Sequence, residues 1–402
     1  MNTATITKPH HKKANFLTWQ CAFSGQYEIE VYTSVNDLKE EWEKFAKKYE
    51  HQFQIENIGI AEISGLIDFS YYYVSVKENS EIVALFYFQS LIIRKEYYPN
   101  FSNLSFAAKN LYCIISANNY NLLVNGHLFS MDVPGIVVRN DWRNESDLAK
   151  VFDKVISKVK RACDSSILIV KDAHPLLKKE LQILKNKYKL MPDDVLMEMQ
   201  IPKEWQSIDD YINALSKKYA VRSKKIEEST SHFAIKELTA SEILLHESTL
   251  HKLYLNVISR SSFKMGVLNM RYFSKMKEVL QDNFTFKIWK LDDEIVGFTS
   301  YICLENHMEL HYIGIDYKIN KSHHLYQCML QTGIKDAIFK KQSVLRMGRT
   351  AYEAKAIAGA KPIVKSNFFQ ISNPILKIGY KYSADYFIAE NSTNWQVRNP
   401  FK

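Results

Sequence analysis

The sequence predicts an α/β protein built from two copies of one unit. Three observations predict it. The chain has 402 residues, long enough for two or three domains of ordinary size. Two segments read alike without a gap: YYVSVKENSEIVALFYFQSL from Tyr72 and FKIWKLDDEIVGFTSYICLE from Phe286, with Lys77 over Lys290 and Glu81-Ile82-Val83 over Glu294-Ile295-Val296. The second copy is followed by an apolar strand, a helical stretch and another strand, the order of a βαβ unit.

The elements follow in chain order. TKPHHKKANF (7–16) opens a flexible basic tail over 1–20, without the apolar run and small-residue cleavage site of a secretory signal. A strand, Glu28–Thr33, precedes a helix near Asp37–Lys48 that puts Leu38, Trp42, Phe45 and Ala46 on one face. The first repeat is a hairpin of β-branched and aromatic strands joined at Glu78-Asn79-Ser80. Another strand and a helix over Leu148–Cys163 complete that half. IPKEW breaks the pattern near Met199–Trp205, which divides the chain into domains 21–200 and 201–402.

In the second half, helical pattern fills Ser241–Leu280, and the second hairpin turns at Leu291-Asp292-Asp293. The strand Met308–Ile315 alternates, with Glu309, His311 and Ile313 on one side and Leu310, Tyr312 and Gly314 on the other. A loop (DYKINKS) leads to a helix over Leu325–Lys340. The strand VLRM and the stretch GRTAYEAKAIAGAKP (348–362) follow. Arg349 stands at the carboxyl end of that strand, where ligands of open sheets tend to bind. Thr350 and Glu353 have the spacing of a capping box, Lys355 lies within the helix, and Gly359 ends it. Arg349 and Lys355 form a cationic shelf for an anion or an acyl oxygen, or make ordinary ion pairs.

Composition bounds the function. Charged residues are 24% and hydrophobic ones 46%, as in soluble globular proteins. No window reaches the roughly 18 apolar residues of a membrane span; Ile82–Ile93 is interrupted by Gln89 and Ser90. Five scattered cysteines argue for a reducing cytoplasm. A net charge of +9 suits an anionic partner: a phosphorylated carrier, a nucleic acid or an acidic membrane surface. HESTLH (246–251) has the wrong spacing for a zinc protease helix, and no metal ligand set is read.

The segments YIGIDYKINKSHHLYQCML and RMGRTAYEAKAIAGAKP resemble the C-terminal half of FemAB-like and BioF-like acyltransferases, tandem proteins of the GNAT superfamily. The pattern is Gly348-Arg349-Thr350, Tyr352, Lys355 and Gly359-Ala360-Lys361-Pro362, with a basic upstream helix, LSKKYAVRSKKI, that carries Lys217, Lys218, Arg222, Lys224 and Lys225. The resemblance covers about 210–380. It implies two tandem GNAT-like domains, each a mixed central sheet flanked by helices, with the second one catalytic. It further implies a cytoplasmic N-acyltransferase, possible peripheral contact with the inner membrane, and no permanently bound cofactor. The acyl group, long-chain, would pass from acyl-CoA or an acyl carrier protein to the amine of a lipid-like acceptor such as a sphingoid base. The alternative is an aminoacyl-tRNA-dependent transferase acting on a peptidoglycan precursor, which alone would involve nucleic acid. One departure is that DYKINKSHH (316–324) lacks the glycines that cradle a pyrophosphate in simple acetyltransferases.

Acylating an amine needs a neutral nucleophile, donors where negative charge develops, and alignment. His311 is the candidate general base, with Glu309 on the same face to act or to orient it. Tyr352 is a proton donor to the leaving group or a packing residue. Arg349, Lys355 and Thr350 hold a phosphate or headgroup, or steady the oxyanion. Lys218 and Arg222 meet phosphates of a carrier or a lipid surface. The expectation that ties these together is spatial: His311 and Arg349 border one cavity.

Overall fold

The computed structural model describes residues 17–21, 27–49, 51–94, 117–131, 133, 135–142, 145–191, 195–260, 266–380 and 396–402. The tail TKPHHKKANF lies outside them. Among the described residues, sixteen strands form two mixed sheets flanked by helices. Strands β1 (Leu17–Cys21), β2 (Tyr27–Tyr32), β3 (Phe69–Glu78), β4 (Glu81–Ile93), β5 (Tyr120–Asn125), β6 (Ile136–Val138), β7 (Ile167–Val170) and β8 (Lys189–Leu190) belong to the first sheet. Strands β9 (Val195–Gln200), β10 (Ala234–Glu237), β11 (Phe284–Leu291), β12 (Glu294–Cys303), β13 (His307–Ile315), β14 (Val344–Gly348) and β15 (Lys361–Val364) form the second. The last strand, β16 (Phe368–Ile371), returns to the first.

The duplication extends to backbone detail. The β3–β4 register slips between Val76↔Ala84 and Lys77↔Ile82. The β11–β12 register slips between Trp289↔Gly297 and Lys290↔Ile295. Both hairpins thus carry a bulge next to the turn. Asn79 and Ser80 have φ of 51° and 66°, and Asp292 and Asp293 have 48° and 69°. Two successive left-handed residues make the two-residue turn that fits a twisted hairpin, and Asn and Asp tolerate that region without glycine.

The halves exchange strands reciprocally. β16 pairs antiparallel with β7 and with β8 in the first sheet. β9 pairs antiparallel with β14 and with β15 in the second. So β9, although it precedes residue 201, completes the second sheet, and β16 completes the first.

A shared core joins the halves. Trp42, Phe45, Tyr73 and Tyr87 of the first half pack in one cluster with Tyr254, Tyr272, Phe273 and Phe298 of the second. Trp42, Phe45 and Ala46 do face inward, on a helix that spans Glu40–Tyr49. The helical stretch at 241–280 is broken into helices Ala240–Leu245, Glu247–Ile258 and Met270–Leu280. Among the described residues no helix is long and apolar enough to cross a membrane.

Candidate active site

The βαβ unit is present: β13 and β14 are parallel, joined by the helix Leu325–Phe339. Their pairing stops at Glu309↔Arg346. Beyond it β13 follows β12 to Ile315, while Gly348 of β14 pairs with Met197 of β9. The second sheet therefore opens a gap toward the carboxyl ends of β13 and β14. In the first sheet the parallel pair β5–β7 stays in register from Leu122↔Ile167 to Asn125↔Val170, where both strands end.

The predicted alternation along β13 is interrupted. Thr299↔Ile313 and Tyr301↔Leu310 span two steps on β12 but three on β13. This bulge turns His311 and Tyr312 to the same side, where their rings lie 6.1 and 5.9 Å from that of Phe273. Bulges re-aim side chains in this way next to functional sites. Leu310 packs on the opposite face with Leu330 and Ile334.

A cavity of about 290 Å³ lies on the His311 face of the sheet, between the two halves. Gln52, Asn57, His127 and Ser130 line it from the first half, and Tyr272, Met276, Ile302 and Glu309 from the second. Its carboxylates are Glu56 and Glu309 and its one imidazole is His127; among the described residues no lysine or arginine borders it. Glu309 is buried and held from two sides. Arg346 Nη1 donates to Oε1 at 3.3 Å, and the Met131 N–H donates to Oε2 at 3.4 Å. His127 accepts from the Phe129 N–H through Nδ1 (3.2 Å), which leaves its proton on Nε2. Burial, aided by Lys171 and His311, pushes its pKa down to about 3, so it stays neutral.

His311 and Arg349 do not line this cavity. His311 Nε2 donates to the Phe129 carbonyl at 2.9 Å, bracing one half against the other. Its lone pair is on Nδ1, 3.4 Å from Ser300 Oγ, and burial lowers its pKa to about 4. Arg349 Nη2 donates to Asp172 Oδ1 at 2.6 Å, and Lys171 Nζ donates to Oδ2 at 2.5 Å. The shared-cavity expectation fails because each group is turned to a partner more than 170 residues away in sequence, which no local pattern marks.

The predicted capping box is also absent. Ala351, at φ 54°, is the N-cap of the helix Tyr352–Ile357, with no side-chain bond. Thr350 is exposed, and Glu353 instead accepts from Arg398 Nη2 at 2.7 Å. Tyr352 is half-buried. The segment expected as a loop, DYKINKS (316–322), instead forms most of the helix Tyr317–His323, capped by Asp316 accepting from the Lys318 N–H.

Lys355 turns inward and is 4% exposed. Its Nζ lies 3.5 Å from where a Cβ on Gly348 would sit, with Met131 of the first half at the same distance from that point. The amine therefore stands at the β14 edge of the gap. Gly348 has φ of 89°, which only glycine adopts without strain as the chain leaves β14. Burial alone lowers the Lys355 pKa to about 7, and among the described residues its side-chain amine forms no hydrogen bond or ion pair.

On the other face of the sheet an apolar slot of about 40 Å³ runs between the helices Lys217–Thr230, Leu325–Phe339 and Tyr352–Ile357. Tyr219, Leu330 and Ala354 line it, with Arg222 among the polar residues. Lys218 and Arg222 are exposed and lie apart from the cavity. His127 escaped the sequence reading. The only trace of it was the pair of turn signals, Asn125-Gly126 and Pro134-Gly135, that bracket its loop.

No family model matches the chain, and no curated protein matches it in sequence. Solved structures do match. A tandem GNAT protein from the clavulanic acid biosynthesis pathway superposes with a TM-score of 0.52 at 8% identity, over 86% of this chain and 99% of that one. FemX superposes with a TM-score of 0.51 at 11% identity, over 85% of this chain and 97% of that one. With two mixed sheets, a duplicated hairpin and superposition of both over more than four fifths of its length, the chain has the fold of two GNAT-like domains in tandem.

Proposed function

We propose that this protein is an N-acyltransferase that moves a long-chain acyl group from a thioester, on CoA or a carrier protein, to the amine of a lipid-like acceptor such as a sphingoid base. The observation that carries the reading is the gap between β13 and β14. The cavity on one face of the sheet reaches Glu309, the last paired residue of β13, and the slot lies on the other face. A thioester arm entering by the slot would bring its carbonyl to the gap, where an amine from the cavity could reach it. The first sheet keeps its parallel pair closed, which supports assigning the reaction to the second half.

The chemistry follows from the lining. Two carboxylates on the wall, Glu56 and the Arg346-paired Glu309, suit an amine that arrives in its ammonium form. Glu309 would take one proton from the bound ammonium, which frees the nitrogen lone pair for attack, and the second proton that the nitrogen loses on forming the amide would pass to the departing sulfur. The amine nitrogen bonds to the acyl carbon, the C–S bond breaks, and the thiol leaves with a proton. Lys355 at the gap edge would donate to the carbonyl oxygen as charge develops there. In this reading His311 positions the Phe129 loop, and Arg349 anchors that wall through Asp172. At about 30 Å³ per water, the cavity has room for about ten waters. It would take the amine end of the acceptor and leave the tail outside, as at the inner membrane.

The test is to incubate the protein with a long-chain acyl thioester and a sphingoid amine and to look for the amide by mass spectrometry. Glu309→Gln should lower turnover by about a hundredfold, the usual scale of acid–base assistance. Turnover with aminoacyl-tRNA and none with any thioester would overturn the proposal.

A further inference from the structure

The helix Lys217–Thr230 has a face that no other described element covers. At 100° per residue, Lys217, Lys218, Val221, Arg222, Lys224 and Lys225 fall on one arc of about 160°. All six are exposed, and Val221, near the middle of the arc, is 64% exposed. Glu228 is the one acidic residue there. The opposite arc packs on the helix Leu325–Phe339, where Ser223 Oγ donates to Gln331 Oε1 at 2.7 Å.

Among the described residues none of the five cations on this arc is in an ion pair, whereas the neighbouring Lys236 and Lys335 are paired with Glu242 and Glu227. The first turn of the helix holds Lys217 and Lys218 and no acid, and Ser216 makes no side-chain cap bond. Cations at a helix N-terminus oppose the macrodipole. Local rules are broken in this way where charge serves recognition. The apolar slot, with Arg222 in its wall, lies beside this helix and is wide enough only for a slender chain.

We infer that this face docks an acidic carrier protein that presents the acyl group on a thin thioester arm. The inference rests on the N-acyltransferase reading and names its donor. The cations extend over about 12 Å of helix, the scale of a row of carboxylates on a partner helix rather than of one diphosphate. The central apolar side chain is aliphatic, and Tyr219 is turned to the packed side, so the face lacks the stacking platform that a nucleic acid strand would use.

The test compares two donors: an acidic acyl carrier protein loaded with a fatty acyl group, and the same acyl group on N-acetylcysteamine. The variant is Lys217→Glu/Lys224→Glu/Lys225→Glu, all at exposed positions. It should weaken carrier binding, read by surface plasmon resonance, at least about tenfold, and lower kcat/KM for the carrier-borne donor as much. Turnover of the small thioester should stay within about twofold. Wild-type carrier binding should fall steeply as salt rises. Equal loss with both donors, no carrier binding by the wild type, or tight binding of RNA in its place would overturn the inference. Carrier binding that the variant loses, with no turnover of either thioester, would uphold the docking face and refute the acyl-transfer reading.

Discussion

Replacing Lys355 with methionine should make the protein more stable and less active. The folded pKa of about 7 lies some 3.5 pH units below the ordinary 10.5, with burial as the cause. At about 1.36 kcal/mol per pH unit, burying this amine costs about 4 kcal/mol at neutral pH. Methionine fills a similar volume, and repacking takes back about 1 kcal/mol. The net gain at pH 7 should be about 3 kcal/mol. The pH dependence has a definite sign. Between about 7 and 10.5 the unfolded wild type binds more protons than the folded one, so its stability rises with pH. The variant lacks that slope, and its advantage should shrink as pH rises and vanish at about pH 10, where the remaining burial cost equals the repacking cost. Urea melts at half-unit steps from pH 6.5 to 10 read this directly, and an amide-forming assay should show turnover reduced by one to two orders of magnitude. A variant less stable than wild type at pH 7, or an advantage that does not change with pH, would refute the argument that the amine is buried without a partner.

Other outcomes follow from the junction. Arg349→Met leaves Asp172, whose side chain is 1% exposed, with Lys171 as its remaining charged partner, and should cost about 3 kcal/mol in a denaturant melt. Lys171 and Arg349 offset burial and hold the Asp172 pKa below its ordinary value, so the stability this carboxylate supplies is present above about pH 4. It should be lost as pH falls through the lowered value, and the Arg349→Met variant should lose less over that acid range. His311→Ala removes the donor to the Phe129 carbonyl and should cost about 1–3 kcal/mol, measured in the same way. A fragment of residues 201–402 should show no cooperative unfolding transition, because β14 and β15 lose β9 between them. A fragment starting at residue 195 should recover more of it.

The paired hairpins, the parallel strands of the βαβ unit and the helix between them were legible in the sequence. Each rests on interactions within a few residues: β-branched strands around Asn79-Ser80 and Asp292-Asp293, and apolar positions at helical spacing from Leu325 onward. Such periodicity determines which segments form strands and helices and which faces are apolar. The single extra residue in β13, the inward turn of Lys355 on a six-residue helix, and the reciprocal passage of β9 and β16 were decided only in the tertiary structure. So were the partners of His311 and Arg349. A side chain's partner is set by long-range packing: the Phe129 carbonyl and the Asp172 carboxylate belong to the other half of the chain, and no local pattern around 311 or 349 encodes them.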